Sequence, residues 1–515
     1  MLRTFADEPE GRRSVPPPDT RASEMTRPLE PAVPEAPCAQ FAERPDHPEE
    51  ACGVFGVYAP GEDVARLTYF GLHALQHRGQ ESAGIAVGDN ETVTVIKNLG
   101  LVSRVFRESD LDSLTGDVAI GHTRYSTTGT STSWENAQPH LSTIGHQVVA
   151  LAHNGNLVNT HDLREGLKDR GIRFRSTTDS EVIATLVGWF TQEHNKLREG
   201  IRDTMKLISG AYAVVLITEN ALYAFRDPHG VRPLVLGKLD DRGWIVSSET
   251  CGLDIVGADF VREVAPGEML KISADGLEAE QAVPAEKPSL CMFEFVYFAR
   301  PDSVMNDCSL YEARRRMGAA IARSAPVEAD LVIGVPDSGV PAAVGYAMES
   351  GIPYGEGLAK NRYVGRTFIS PSQTIRQQGI RLKLNPLKPV IAGKRLVVVD
   401  DSIVRGNTTR KLVALLRESG AAEVHMRITS PPVRWPCFYG IDTDTQEQLI
   451  GSAKSVEEIR EHIGADSLAY LSLEDMVEAT GRVADEYCLA CFNGEYPVEI
   501  PDSVKRGKLA LEGCR

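Results

Sequence analysis

The chain has no run of the 18 or more apolar residues that a membrane-spanning helix needs, so no segment is read as a bilayer anchor. It also lacks a G-x-x-x-x-G-K-[ST] stretch and a G-x-G-x-x-G behind a strand, which sets aside nucleoside triphosphate loops and dinucleotide folds. Positive charge is short: 55 Lys and Arg stand against 71 Asp and Glu, for a net charge of -16. A phosphate backbone would be repelled by such a surface, so no nucleic-acid partner is expected. Nine cysteines in 515 residues, with no secretory apolar region, argue against a disulfide framework and for reduced thiols, a metal site or catalysis. The compartment expected is the cytoplasm.

Two absences are local. Residues 1–51 contain no lysine, hold ten of the thirty prolines and cluster few apolar side chains, so they cannot bury enough surface to offset the entropy of ordering. They are expected to be a disordered prefix. Residues 357–399 contain no Asp or Glu, yet hold Lys360, Arg362, Arg366, Arg376, Arg381, Lys383, Lys388, Lys394 and Arg395. Interleaved with Gly, Ser, Pro and Gln, this positive stretch reads as a long mobile loop suited to closing on a polyanion such as pyrophosphate.

What remains is ordinary globular sequence, 42% hydrophobic and 24% charged, long enough for two to four domains at about 150 residues each. From Cys52, short apolar runs separated by turn residues (GVFGVYA, SAGIAV, VAIGHTRYS, VVALAHNGN, YAVVLIT) alternate with helical stretches at 64–76 and 179–193. That pattern predicts a layered α+β domain over 52–285. After KPSL the order becomes strand, loop, helix, the unit of a parallel α/β sheet, over 286–470. Residues 471–515 read as short helices and a cysteine-bearing loop.

The stretch VVVDDSIVRGNTT, 397–409, runs a buried strand into a helix start. Asp400 and Asp401 would stand at the sheet's carboxyl edge, and Arg405, Gly406, Asn407, Thr408 and Thr409 would face a phosphate at the helix N-terminus. Adjacent acids repel an anion, so a ribose with Mg2+ suits them better than bare phosphate. Helix capping explains any one of these residues but not the string. Asp337, Ser338 and Gly339 in GVPDSGV form a second strand-to-helix turn. The string resembles the phosphoribosyl pyrophosphate (PRPP) signature of the type I phosphoribosyltransferase family, with PDSG as its pyrophosphate loop. The resemblance implies PRPP contacts from Asp337, Ser338, Gly339, Lys360, Asp400, Asp401, Arg405, Gly406, Thr408 and Thr409, and one Mg2+ per subunit on Ser338, Asp400 and Asp401.

In the N-terminal half ACGVFG, QHRGQESAGI, GHTRYSTTG, HNGNLVN and TTDSE stand out. Together they resemble the class II glutamine amidotransferases, N-terminal-nucleophile hydrolases of αββα layering. A thiol of pKa near 8.5 is mostly protonated at neutral pH, and a free α-amine on the same residue can take its proton where an internal amide cannot. Cys52 is therefore expected to become residue one, the prefix being a propeptide. The resemblance further implies Asn154 and the N–H of Gly155 as an oxyanion hole, Arg124 for the glutamine carboxylate and Asp179 for its ammonium. His73, His77, His122 and His153 are read as structural.

Both modules in this order resemble the glutamine–PRPP amidotransferase family, from Cys52 to about residue 497. The family's implied reaction converts PRPP, glutamine and water to 5-phosphoribosylamine, glutamate and pyrophosphate, the step that opens purine synthesis. Ammonia must travel unprotonated, so an internal channel is expected, with FEFVYFARPDS at the junction and Tyr297 a candidate gate. Cys488 and Cys491 form C-x-x-C, and with Cys251 and Cys437 give four thiols that spacing alone assigns to either Zn2+ or a [4Fe-4S] cluster. Similarity to the iron-sulfur branch implies one cluster per subunit on these four, leaving Cys38, Cys291, Cys308 and Cys514 without a role. It also implies inhibition by purine nucleotides and a homotetramer. Glucosamine-6-phosphate synthase shares only the glutaminase half, and a PRPP-sensing regulator would carry a DNA-binding module in place of Cys52 and its partners.

Overall fold

The structure is a computed structural model that describes residues 52–125, 133–144, 147–361, 383–441, 445–501 and 504. The prefix 1–51, with Cys38, the loop arginines Arg362, Arg366, Arg376 and Arg381, and Cys514 lie outside the described residues.

Two antiparallel sheets stack in the N-terminal half, one of seven strands and one of six. The first strand, Gly53–Tyr58, runs between Val118–Arg124 and Gly243–Ser247. Its side chains alternate, as period-two geometry requires. Val54 joins Val118, Ile120, Ala150, Ala213 and Val215 in the layer between the sheets, whereas Phe55 and Val57 face Leu72 of the helix Val64–Ala74 and its capping residue Leu75 on the outside. The far face of the second sheet is covered by Asp179–His194, whose Val182, Ile183 and Leu186 pack on Leu151 and Val214. The order is thus helix, sheet, sheet, helix, the layering expected from the sequence. Burial on both faces explains why the central strands, such as Gly53–Tyr58 and Gly210–Ile217, are near-continuously apolar.

The C-terminal half is built on four parallel strands ordered Leu331–Gly334, Arg395–Asp400, Glu423–Ile428, Ser467–Tyr470. Helices cover both faces: Leu310–Ser324 and Gly339–Ser350 on one, Asn407–Glu418 and Val456–Ile463 on the other. Because the strands are parallel, their carboxyl ends converge on one edge, where Asp400 and the turn before Gly339 meet. The junction stretch folds into a short π-type turn, Glu294–Phe298. Preceding it, Leu290–Cys291 pairs in parallel with Tyr487–Cys488 from the C-terminal segment. Among the described residues no helix is long and apolar enough to cross a membrane.

Candidate functional sites

Cys52 is buried at the start of the first strand, and its Sγ lies against the Tyr125 backbone, 3.3 Å from O and 3.4 Å from N. A small cavity beside it is lined by Cys52, Arg124, His153, Gly155, Asp179 and Ser180 among others. Burial pushes the thiol up to about 12, opposed by Arg124 and reinforced by Glu81 and Asp179. Burial thus favours the protonated form of this sulfur at neutral pH.

Arg124 ends the strand Val118–Arg124 and is buried, as is Asp179 at the first turn of Asp179–His194. One Asp179 oxygen accepts from the Leu157 N–H at 3.0 Å, and His153 Nδ1 stands 3.7 Å from the other. Burial pushes the Asp179 carboxyl up, but His153 and the Leu157 and Ser180 N–H groups outweigh it and hold it below the ordinary range. The cavity thus holds opposite fixed charges. Asn154 is fully buried, yet neither its Oδ1 nor its Nδ2 has a hydrogen-bond partner. Buried amides are rarely left so unless something else meets them. Gly155 follows at φ +141, where an added Cβ would strike Ala211 O at 2.0 Å, so only glycine fits. His153 points Nδ1 at Ser180 Oγ, 3.2 Å away, and leaves Nε2 unpartnered in the cavity wall.

Arg78, in the QHRG stretch, is fully buried and carries two carboxylates: Nε meets Glu249 and Nη2 meets Glu294 at 2.5 Å. Glu294 is shared with Arg232 Nη1 at 3.3 Å. This network of four charged residues links the N-terminal sheets to the junction turn and was invisible in sequence.

At the other sheet edge, Asp400, Asp401 and Ser402 are buried, and Ser338 Oγ donates to Asp401. Ser402 Oγ reaches the second Asp401 oxygen at 2.6 Å, and the Asp401 N–H caps Asp400 at 3.0 Å. Lys360 Nζ pairs with Asp337 at 2.6 Å. Gly339 opens one helix and Gly406 precedes another, Asn407–Glu418, with half-buried Arg405 and Thr408 and buried Thr409 around that N-terminus. The two loops expected from sequence therefore share one edge.

The cysteines do not group as expected. Cys251 packs with Phe55 and Leu253 behind the first sheet, its Sγ 3.7 Å from Glu249. Cys291, Cys437, Cys488 and Cys491 share a different core, which also holds Cys308. Burial pushes the Cys291 thiol up to about 12 and those of Cys488 and Cys491 higher, and neighbouring thiols of this group add to each shift. Cys291 stands opposite Cys488 in the parallel pair. The thiol gathered with Cys437, Cys488 and Cys491 is thus Cys291 and not the expected Cys251, which lies behind the first sheet. Tyr297 is half-buried in the junction turn, edge-on to Phe298 at 5.5 Å.

Family models for a glutamine amidotransferase domain and a phosphoribosyl transferase domain match residues 122–254 and 309–429. An amidophosphoribosyltransferase of Synechococcus elongatus is 57% identical over 488 residues, 94% of this chain and 99% of that one. One from Bacillus subtilis is 49% identical over 88% of this chain and 95% of its own. The solved B. subtilis glutamine PRPP amidotransferase complexed with ADP and GMP superposes at a TM-score of 0.83, with 48% identity over 88% of this chain and 99% of that chain. With two such halves in this order and that identity across nearly its whole length, the chain belongs to the amidophosphoribosyltransferase family.

Proposed function

We propose that this chain hydrolyses glutamine at Cys52 and delivers the ammonia to PRPP, giving 5-phosphoribosylamine, glutamate and pyrophosphate in the first committed step of purine synthesis. The observation that carries the reading is the cavity in which the Cys52 thiol meets a buried cation, Arg124, and a buried anion, Asp179. Those charges match the α-carboxylate and α-ammonium of an amino acid, an orientation that would turn its side-chain amide toward the sulfur.

Removal of residues 1–51 frees the Cys52 α-amine, whose ordinary pKa of about 7.7 to 8.0 suits a base at neutral pH. It takes the thiol proton as sulfur attacks the amide carbon. Asn154 Nδ2 and the Gly155 N–H stabilise the oxyanion. The tetrahedral adduct collapses to a thioester as the α-ammonium returns its proton to the departing nitrogen, releasing ammonia. Water, deprotonated by the same amine, then cleaves the thioester to glutamate and restores the thiol. Ammonia, which needs its lone pair, passes the junction turn with Tyr297 as gate and attacks the anomeric carbon of PRPP. Pyrophosphate leaves into Asp337, Ser338, Gly339 and Lys360, while Arg405, Gly406, Thr408 and Thr409 hold the 5-phosphate and Asp400 and Asp401 the ribose hydroxyls. Closing a positively framed site protects the oxocarbenium-like carbon from water.

Two metal groups belong to the reading. Asp400, Asp401 and Ser338 offer hard oxygen donors, which fit one Mg2+ completed by substrate oxygens, and it would neutralise pyrophosphate charge. Cys291, Cys437, Cys488 and Cys491 offer four buried thiols. Four thiolates fit the [4Fe-4S] centre that the resemblance implies, and it would tie the C-terminal segment to the junction. Purine nucleotides as inhibitors, a homotetramer and a cytoplasmic location complete the proposal. The test is glutamate release with and without PRPP: Asn154→Ala should lower kcat about 10²- to 10³-fold, and glutamine-dependent product from Cys52→Ser at the wild-type rate would sink the reading.

A further inference from the structure

The strand that carries Asn154 and Gly155 is backed by a loop from the other half of the chain. Asn156 Nδ2 donates to Phe438 O at 2.9 Å. Arg232, fully buried, donates to Tyr439 O from Nε at 3.0 Å and Nη2 at 2.7 Å. Gly440, at φ +114, lies so close that an added Cβ would stand 2.9 Å from Arg232 Nη2 and 3.3 Å from the carbonyl carbon of Gly155. Gly155 is thus held between Ala211 on one side and Gly440 on the other. Asn154 and Asn156 share a face of the strand by its period of two. One leaves its amide unpartnered, and the other commits its amide to the opposite half.

The loop is itself anchored. The Tyr439 hydroxyl donates to Val498 O at 2.7 Å and accepts from Val498 N at 3.0 Å. Upstream, the Trp435 N–H reaches Cys491 O at 3.1 Å, and the Thr429 N–H reaches Asp400 O at 3.0 Å, at the edge that carries the acidic pair. A span of twelve residues, 429–440, therefore runs from the phosphoribosyl edge to the back of the glutaminase strand.

We propose that Asn156, Arg232 and Gly440 are positioning residues for the glutamine half-reaction, and that the loop 438–440 fixes the aim of the oxyanion donors. The proposal rests on reading Asn154 and Gly155 as those donors. Oxyanion stabilisation depends on donors fixed in advance, and displacements near 1 Å cost about 10²-fold in rate. The glutaminase site is then incomplete without the phosphoribosyl half, although among the described residues none of that half lines the cavity.

The test uses the processed full-length enzyme with Gly440→Ala, Asn156→Ala and Asn156→Asp. Aspartate keeps the shape of asparagine but cannot donate to Phe438 O. Glutaminase kcat should fall about 10- to 100-fold in all three, with glutamine KM within about threefold because Arg124 and Asp179 are untouched. Phosphoribosylamine formation from added ammonia should stay within about twofold, which also reports correct folding. Wild-type glutaminase in Gly440→Ala and Asn156→Asp would overturn the inference, as would glutamine- and ammonia-dependent rates falling together. The underlying reading fails separately, if Asn154→Ala retains normal glutaminase activity.

Discussion

Glu294 is the most exacting place to test the buried charges. Its side chain has no solvent exposure and serves two guanidiniums, Arg78 Nη2 at 2.5 Å and Arg232 Nη1 at 3.3 Å. Glu294→Gln keeps the shape but removes the charge and turns an amide N–H₂ toward cationic donors. Arg78 retains Glu249, whereas among the described residues Arg232 is left with only the Tyr439 carbonyl. Breaking a buried pair by removing one partner costs about 3–5 kcal/mol, because the remaining charge stays desolvated. At 2–4 °C per kcal/mol for domains of 150–250 residues, the melting midpoint should drop roughly 6–20 °C. The control is Glu312→Gln, whose exposed pair with Arg315 at 2.9 Å should be worth under about 1 kcal/mol. Adding Arg232→Met to Glu294→Gln should recover part of the loss by removing the orphaned charge. A loss below about 1 kcal/mol for Glu294→Gln, measured by calorimetry and urea titration, would refute the reasoning.

Other outcomes follow from the same geometry. Cys291→Ser should lose iron and visible absorbance from protein purified without oxygen, while Cys251→Ser keeps both; the reverse would restore Cys251 to the ligand set. Asp401→Asn should lower kcat/KM for PRPP at least about tenfold, about 1.4 kcal/mol, with either nitrogen donor, and unchanged PRPP kinetics would remove Asp401 from that site. Burial pushes the His122 imidazole down from 6.5 to about 3, outweighing its hydrogen bond to His153 O. The unfolded chain then binds the extra proton between those pH values, so stability is full above pH 6.5 and falls by about 1.4 kcal/mol per pH unit as pH drops toward 3. His122→Gln should flatten that part of the slope in urea titrations at pH 4 to 7, and an unaltered slope would contradict it.

The layers were legible because they follow from local periodicity: Val54 and Phe55 face opposite ways in any strand, and VVVDDSIVRGNTT is a strand and a helix start with no help from elsewhere. The same holds for Asp400, Asp401 and Gly406, neighbours in sequence before they are neighbours in space. What sequence could not supply was pairing across long separations. Cys291 joins Cys488 only because the strand Leu290–Cys291 lies parallel to Tyr487–Cys488, and nothing around Cys251 distinguishes a helix cysteine beside Glu249 from a ligand. Arg78 reads as one basic residue in QHRG until Glu249 and Glu294 are seen around it. Asn156 and Gly440, likewise, look like ordinary turn formers in HNGN and FYGI. The one signal available was the spacing of Asn154 and Asn156, which puts two amides on one face of a strand.

The account stands on an exposed amine beside the Cys52 sulfur, and the intact mass of the active, purified enzyme tests it most directly. The predicted mass begins at Cys52, in a protein whose thiol is alkylated by iodoacetamide in step with loss of glutaminase. A polypeptide that retains residues 1–51 and turns over glutamine at the full rate would contradict it.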